Sequence, residues 1–182
     1  NGAGGADTII GGDGNDTIDG GTGNDTITTG NGVDTVTLAA SQGTDTITDF
    51  TAGAGGDIIA AAGIEAITTN DVTFLKSAVG AGVTWDVGAT AGVLALAANV
   101  ANAATLSATD LNTALTNGTI SGADDGEKGI VLVSTDFDSA AVDVYAYIVE
   151  HDGTDFDGVT LLATFKTMEL DNLTAANFDG FA

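Results

Sequence analysis

An aspartate returns every ninth residue through the first part of this chain, at Asp7, Asp16, Asp25 and Asp34. Asp45 follows after a two-residue slip, and Asp57 closes the series. The units around these positions are nearly identical. Gly11-Gly12-Asp13-Gly14-Asn15-Asp16-Thr17-Ile18-Asp19 is followed directly by Gly20-Gly21-Thr22-Gly23-Asn24-Asp25-Thr26-Ile27-Thr28. Such a period leaves few folds open. Three glycines in six positions permit a tight loop with positive φ, where a Cβ would clash. After each loop come three residues that read as a strand: Thr8-Ile9-Ile10, Thr17-Ile18-Asp19, Thr26-Ile27-Thr28, Thr35-Val36-Thr37 and Thr46-Ile47-Thr48. Side chains alternate along a strand, so the central Ile or Val turns inward and its neighbours face water. A Gly/Thr-rich disordered linker would have no reason to place an apolar residue at that fixed step.

One nonapeptide therefore makes half a coil, and two make a full turn. Loops eighteen residues apart stack on one edge, with Asp7 over Asp25, Asp16 over Asp34 and Asp25 over Asp45. Rows of facing carboxylates repel one another unless a cation lies between them. The aspartates Asp7, Asp16, Asp25, Asp34, Asp45 and Asp57 supply hard anionic oxygens. The loop carbonyls, at Gly12, Gly14, Gly21, Gly23, Gly30 and Gly32, supply neutral ones. That mixture suits calcium, which takes about 6–8 oxygen ligands in a flexible geometry. The apolar ladder is thin, so metal binding and folding are expected to be coupled.

Residues 2–59 resemble the repeats-in-toxin (RTX) family, whose haemolysin-type repeat is Gly-Gly-x-Gly-x-Asp-x-apolar-x. Units two and three carry the full pattern. Unit one (Gly2 to Ile10) has Ala3 in place of the second glycine, and unit four has Thr29 in place of the first. The fifth (Ala40 to Thr48) keeps only Gly43 and Asp45, because the Leu38-Ala39 insertion shifts its register. Asp49-Phe50 followed by Gly55-Gly56-Asp57-Ile58-Ile59 is similar to the segment that closes such a roll. The resemblance implies a calcium-binding parallel β-roll holding several Ca2+ ions, in a protein exported from a Gram-negative cell unfolded and folded by calcium outside.

The charge balance narrows the partners. There are 26 acidic residues against 3 basic ones, a formal charge of -23. Nucleic acid is excluded as a partner because phosphate neutralisation needs a basic face. Self-repulsion at this charge opposes compaction, and divalent cations relieve it. With no cysteine there is no disulfide framework. Extracellular calcium modules work at about 10⁻⁴–10⁻³ M, so such sites would fill only outside the cell. No signal peptide is visible. Asn1 falls inside the repeat pattern, so the chain is expected to be the C-terminal piece of something longer. The most apolar run, Val87 to Ala104, is mostly alanine and is broken by Gly88, Gly92, Asn99 and Asn102. A membrane span needs about 20 strongly apolar residues, so no insertion is expected.

Beyond Asp57 the composition changes. Residues 60–128 read as an Ala/Thr-rich, mainly β connecting region, with strands at Val72 to Leu75 and Val83 to Val87 and core anchors at Phe74 and Trp85. Ser107-Ala108-Thr109-Asp110 ahead of Leu111 and Leu115 reads as a capped short helix ending near Asn117-Gly118. Residues 129–182 read as antiparallel sheet, with strands at Gly129 to Thr135, Ala141 to Glu150 (Val142, Val144, Ala146 and Ile148 on one face) and Val159 to Lys166 (Val159, Leu161, Ala163 and Phe165 aligned). The closing segment Leu170 to Phe178 packs over the end. This order is similar to the C-terminal domains of type I-secreted proteins, which carry an uncleaved export signal. The acidic loop His151 to Gly158 is a hairpin turn or a further calcium loop, and its spacing is not that of an EF-hand.

The expected fold is all-β: a calcium-binding parallel β-roll over 1–59, the connecting region over 60–128, and an antiparallel C-terminal domain over 129–182 with one or two short helices in the whole. No catalytic constellation is found. His151 is the only histidine, no cysteine is present, and neither a Gly-x-Ser-x-Gly elbow nor a His-Glu-x-x-His motif occurs. Two functional readings follow. One is a calcium-folded, non-enzymatic structural module of a secreted bacterial surface protein, similar in composition to S-layer proteins and adhesins. Its calcium-stabilised contacts would build a homo-oligomer, lattice or filament. The other is the export and folding module of a type I-secreted protease, lipase or glycosidase whose catalytic domain lies upstream.

Overall fold

In a computed structural model of the chain, the described residues are 1–39, 41–62, 75–77, 85–86, 93–99, 103–105, 107–110, 120–121, 127–135, 142–151 and 156–179. The repeats wind into two parallel sheets. Strands β1 (Thr8–Asp13), β3 (Thr26–Asn31) and β5 (Asp45–Ile47) stack on one side, with Thr8 beside Thr26 and Thr26 beside Thr46. On the other side are β2 (Thr17–Asp19), β4 (Thr35–Ala39) and β6 (Ile58–Ala62), with Thr17 beside Thr35 and Thr35 beside Ile58. Successive nonapeptides therefore alternate between the sheets, as the repeat requires. The strands are less uniform than the three-residue reading: β1 and β3 run to six residues because the loop's first glycines continue the parallel pairing, Gly12 beside Gly30.

Between the sheets lies the ladder. Ile18, Ile27, Val36, Ile47 and Ile59 are at most 2% exposed, and Leu38 joins them. The full burial of the central residue thus holds from the second repeat onward. In the first strand Ile9 is only partly buried and Ile10 is 71% exposed. Ile9 lies on the outermost strand of its sheet, with no coil before it to cover it, whereas Ile10 is the flanking residue whose side chain faces water.

The roll is continuous with the C-terminal strands. Strands β11 (Glu127–Ser134), β12 (Val144–His151) and β13 (Phe156–Phe165) form an antiparallel meander, as the alternation of their residues suggested. β13 then pairs parallel with β5, Phe165 beside Ile47. β7 (Leu75–Ser77) and β9 (Val93–Asn99) extend the far edge, giving the order β1-β3-β5-β13-β12-β11-β9-β7. A separate parallel pair joins β8 (Trp85–Asp86) to β10 (Ile120–Ser121). One apolar cluster runs from Ile18 through Phe50, Val144 and Phe165 to Phe178. Phe50 and Phe165 meet edge to face at 5.0 Å, a favoured aromatic geometry.

β12 is covered on both faces. Val144, Ala146 and Ile148 face the roll's core, yet Tyr147 and Val149 are buried too. The Tyr147 hydroxyl donates to the Ala103 carbonyl in the 3-10 turn Ala103–Thr105 at 2.7 Å, so its polar end is satisfied. A register shift between Ala146 and Tyr147 marks a bulge in the pairing with β13.

After β13 the chain crosses the roll's end through two 3-10 turns, Leu170–Asn172 and Ala175–Asn177, and closes as β14 (Phe178–Asp179) beside β6. Met168, Leu170, Leu173 and Phe178 are buried there. The anticipated helix cap is formed: the Ser107 hydroxyl donates to Asp110 at 2.6 Å and accepts from the Asp110 N–H at 3.2 Å, and residues 108–110 are helical. The rest of that expected helix, Phe74, and most of the acidic loop after His151 lie outside the described residues.

Candidate metal centre

The loops form two columns, one on each edge of the roll. Residues 2–7, 20–25 and 41–45 stack on one edge, and residues 11–16, 29–34 and 51–57 on the other. Backbone hydrogen bonds hold successive loops together: Gly5 N–H to the Thr22 carbonyl at 2.7 Å, Gly14 N–H to Asn31 at 2.8 Å, and Gly23 N–H to Gln42 at 2.6 Å. The stacking demands bare backbone. A Cβ on Gly32 would stand 2.1 Å from the Gly14 carbonyl oxygen, at a φ of 136° that L side chains rarely adopt. Asn15 and Asn24, just before the aspartates, add a side-chain rung. Asn15 Oδ1 accepts from Val33 N–H at 3.1 Å, and Asn24 Oδ1 from Thr44 N–H at 3.0 Å.

Three of the repeat aspartates are held through Oδ1 by a backbone N–H of the preceding loop in their column. Asp25 Oδ1 accepts from Asp7 N–H at 2.8 Å, Asp34 Oδ1 from Asp16 N–H at 2.8 Å, and Asp45 Oδ1 from Asp25 N–H at 3.0 Å. The stacked pairs read from the sequence are thus brought together. The second oxygen is a different matter. Oδ2 of Asp7, Asp16, Asp25 and Asp34 is buried with no protein partner. Four orphaned carboxylate oxygens in one small roll are hard to reconcile with the protein alone, since a buried anionic oxygen costs several kcal/mol unless compensated.

In units one to three the space beside these oxygens is kept open by the first glycine of the unit. A Cβ on Gly2 would stand 2.5 Å from both Asp7 Oδ2 and the Gly20 carbonyl oxygen. On Gly11 it would meet the Thr29 carbonyl oxygen at 2.3 Å and Asp16 Oδ2 at 3.0 Å, and on Gly20 it would meet Asp25 Oδ2 at 2.2 Å. Each of the first two cradles therefore gathers an orphaned carboxylate oxygen and the carbonyl of the next loop in the column. These donors are all hard oxygens, the chemistry that calcium selects. Among the described residues no three acidic or imidazole side chains converge on one point. That agrees with sites built largely from backbone carbonyls. The residues present fit calcium.

The aspartates at the end of the series behave differently. Burial pushes the Asp45 carboxyl up to about 6, and the negative charges of Asp25 and Asp19 add to that shift, while the Asp25 N–H opposes it. Both oxygens of Asp57 are taken: Oδ1 accepts from Asp34 N–H at 3.0 Å, and Oδ2 from Thr51 N–H at 2.8 Å and the Thr29 hydroxyl at 3.2 Å. Other partners had no signal in the repeat pattern. Asp49 accepts from the N–H groups of Thr29 and Gly30 at 2.7 and 3.0 Å. Asp19 accepts from Gly21 N–H at 2.9 Å and from Gln42 Nε2 at 3.0 Å. Of the glycines, Gly12 and Gly14 lie beneath Gly30 and Gly32, and Gly21 and Gly23 lie over Ala3 and Gly5.

A two-sheet parallel coil with open carboxylates at its turns defines the class: a calcium-binding β-roll. Residues 1–36 match the family model of the RTX calcium-binding nonapeptide repeat in four copies, so these four units are RTX repeats, which bind several Ca2+ ions. Comparison with curated proteins and with solved structures gave no match. No helix among the described residues is long and apolar enough to cross a membrane.

Proposed function

We propose that this chain is a calcium-folded structural module of a secreted bacterial surface protein, of S-layer or adhesin type, without enzymatic activity of its own. The observation that carries the reading is the set of four buried, unpartnered oxygens on Asp7, Asp16, Asp25 and Asp34. They make a well-packed roll depend on an external cation. Sites of this kind stay empty in a low-calcium cytosol and fill at the about 10⁻⁴–10⁻³ M calcium typical of extracellular modules. The chain would thus travel unfolded and set outside the cell. Its charge of -23 favours further calcium between neighbouring copies, which supports assembly into a lattice or filament. The single histidine and the absence of cysteine support a structural rather than a catalytic role.

Electron microscopy of the protein in chelator and in millimolar calcium tests this. Ordered sheets or fibres with calcium are expected, and dispersed particles in chelator. Folded monomers at millimolar calcium would defeat the assembly reading and leave the roll as the folding and export module of an exoenzyme.

A further inference from the structure

We propose that Asp57 ends the calcium series as a hydrogen-bond acceptor rather than a ligand, and that with Thr29, Asp49 and Asn177 it fastens the C-terminal segment to the roll without metal. The inference rests on the calcium reading of the repeats and concerns where that reading stops.

The four upstream aspartates share one habit: Oδ2 has no protein partner in any of them. Asp57 continues the column by accepting Asp34 N–H at Oδ1. Its Oδ2, however, is filled by Thr51 N–H and the Thr29 hydroxyl, in a residue only 1% exposed. No orphaned oxygen remains for a cation. The substitution that makes this possible is the one irregularity of unit four. Where units one to three keep a glycine whose missing Cβ leaves a cradle, Thr29 supplies a side chain, and its hydroxyl bridges Asp57 and Asp49 Oδ1. Asp49 in turn accepts two backbone N–H groups at the start of the same loop. The one Thr29 hydroxyl proton is shared between the two carboxylates, and each has two backbone N–H donors besides: Thr29 and Gly30 for Asp49, Asp34 and Thr51 for Asp57.

The same loop is gripped from the far end of the chain. Asn177 is fully buried. Its Oδ1 accepts from Gly53 N–H and Thr174 N–H, both at 3.0 Å. Its Nδ2 donates to the carbonyls of Gly53 at 3.0 Å and Asp57 at 2.8 Å. Next to it, Phe178 pairs with Ile59. The final loop is therefore satisfied on every side by protein groups, and residues more than a hundred positions apart meet in it.

Amide exchange of the whole chain, followed by NMR in calcium and in chelator, separates the two kinds of closure. In chelator the N–H groups of Asp7 and Asp16 should exchange freely, while those of Thr51, Gly53 and Thr174 stay at least tenfold slower. Exchange at Thr51 and Gly53 rising in step with Asp7 overturns the latch alone. Exchange at Asp7 and Asp16 that ignores the chelator overturns the calcium reading beneath it. A calcium titration adds an independent measure: Asp57→Asn should keep the parent's ion count, whereas Asp34→Asn should lose an ion. Loss of an ion from Asp57→Asn would make Asp57 a ligand and end the proposal.

Discussion

The backbone N–H of Asp7 donates to Oδ1 of Asp25, one full coil further along, at 2.8 Å. The contact fixes the register of two loops and the orientation of the Asp25 carboxylate at once. It also leaves Asp25 Oδ2 turned into the column with nothing to bind. The same arrangement at Asp16 and Asp34 places an equivalent pair on the opposite edge. The repeat therefore builds its ligands and its own instability together. Each of the first four repeats buries an anionic oxygen that the protein does not neutralise.

Calcium withdrawal should accordingly unwind the repeats. In chelator the orphaned carboxylates face one another across the columns, a burden of several kcal/mol per buried charge. With calcium at about 100 times its dissociation constant, each site returns about 2.7 kcal/mol. Circular dichroism should show β structure rising as calcium is added to chelated protein. A spectrum unchanged by calcium would contradict this coupling.

Asp25 should matter more than Asp45. Asp25 orders the Asp7 loop, donates its own N–H to Asp45, and carries an orphaned oxygen. Asp45 accepts one backbone N–H and is not among the residues with a buried, unpartnered oxygen. Asp25→Ala should therefore cost about 3 kcal/mol of stability in calcium, the scale of breaking a buried charged contact. Asp45→Ala should cost about 1 kcal/mol, a single hydrogen bond. Calorimetric calcium titration should show the larger loss of binding in Asp25→Ala, and equal losses would refute the column as described.

Two glycines of similar backbone conformation should respond differently to alanine. Gly14 has φ 113° and open space around it, so only the left-handed strain of about 1–2 kcal/mol applies. Gly32 has φ 136°, and its Cβ would press on the Gly14 carbonyl. Gly32→Ala must therefore separate the loops at residues 11–16 and 29–34. Thermal melts in calcium should place Gly14→Ala close to the parent and Gly32→Ala well below it.

The roll was legible because its information is local and periodic. Glycine, aspartate and isoleucine recur at fixed steps, so loop, ligand and core positions follow from short-range rules. The stacking of Asp7 with Asp25 needed only the count of two nonapeptides per turn. The union of β13 with β5 was not legible, because Thr44 and Leu161, joined by a hydrogen bond at 3.2 Å, are 117 residues apart. No pattern in either strand names the other. Thr29 read as a lapse from the repeat, and the structure gives it partners in Asp49 and Asp57 that only the folded chain brings near. The alternation in β12 suggested one buried face, but the sheet is covered on both sides, and Tyr147 and Val149 are as buried as Ala146.

Acidity should steady the calcium-free last coil, which stays paired with β13, through Asp45. Its folded carboxyl titrates near 6 against 3.8 for the free side chain, because burial disfavours the charged form and Asp25 and Asp19 repel it. A raised carboxyl pKa means that the folded state holds the proton more tightly. The contribution is complete below about pH 4 and is lost as pH rises through 6. In chelator, Asp45→Asn should remove that dependence, so the stability difference between parent and variant changes between pH 4 and pH 6 and is flat above. A difference that is constant across this window would count against the burial of Asp45 as the cause.

Phe165 tests whether the C-terminal strands support the winding of the roll. It is fully buried, lies beside Ile47 where β13 joins β5, and meets the edge of Phe50 at 5.0 Å. Truncating such a side chain typically costs about 3–5 kcal/mol, through lost burial and the cavity left behind. Were the roll independent, that loss would stay in the C-terminal sheet and calcium affinity would not change. Where the repeats wind onto the C-terminal sheet, a weakened seam costs the winding that calcium drives, so more calcium is needed to complete it. Phe165→Ala should shift the midpoint of the calcium-induced dichroism change upward. Lys166→Ala, which removes only a partly exposed ion pair with Asp143, should move it little, since exposed pairs contribute about 0–1 kcal/mol. Equal midpoints for Phe165→Ala and the parent would show that the seam at β13 and β5 transmits nothing to the metal sites.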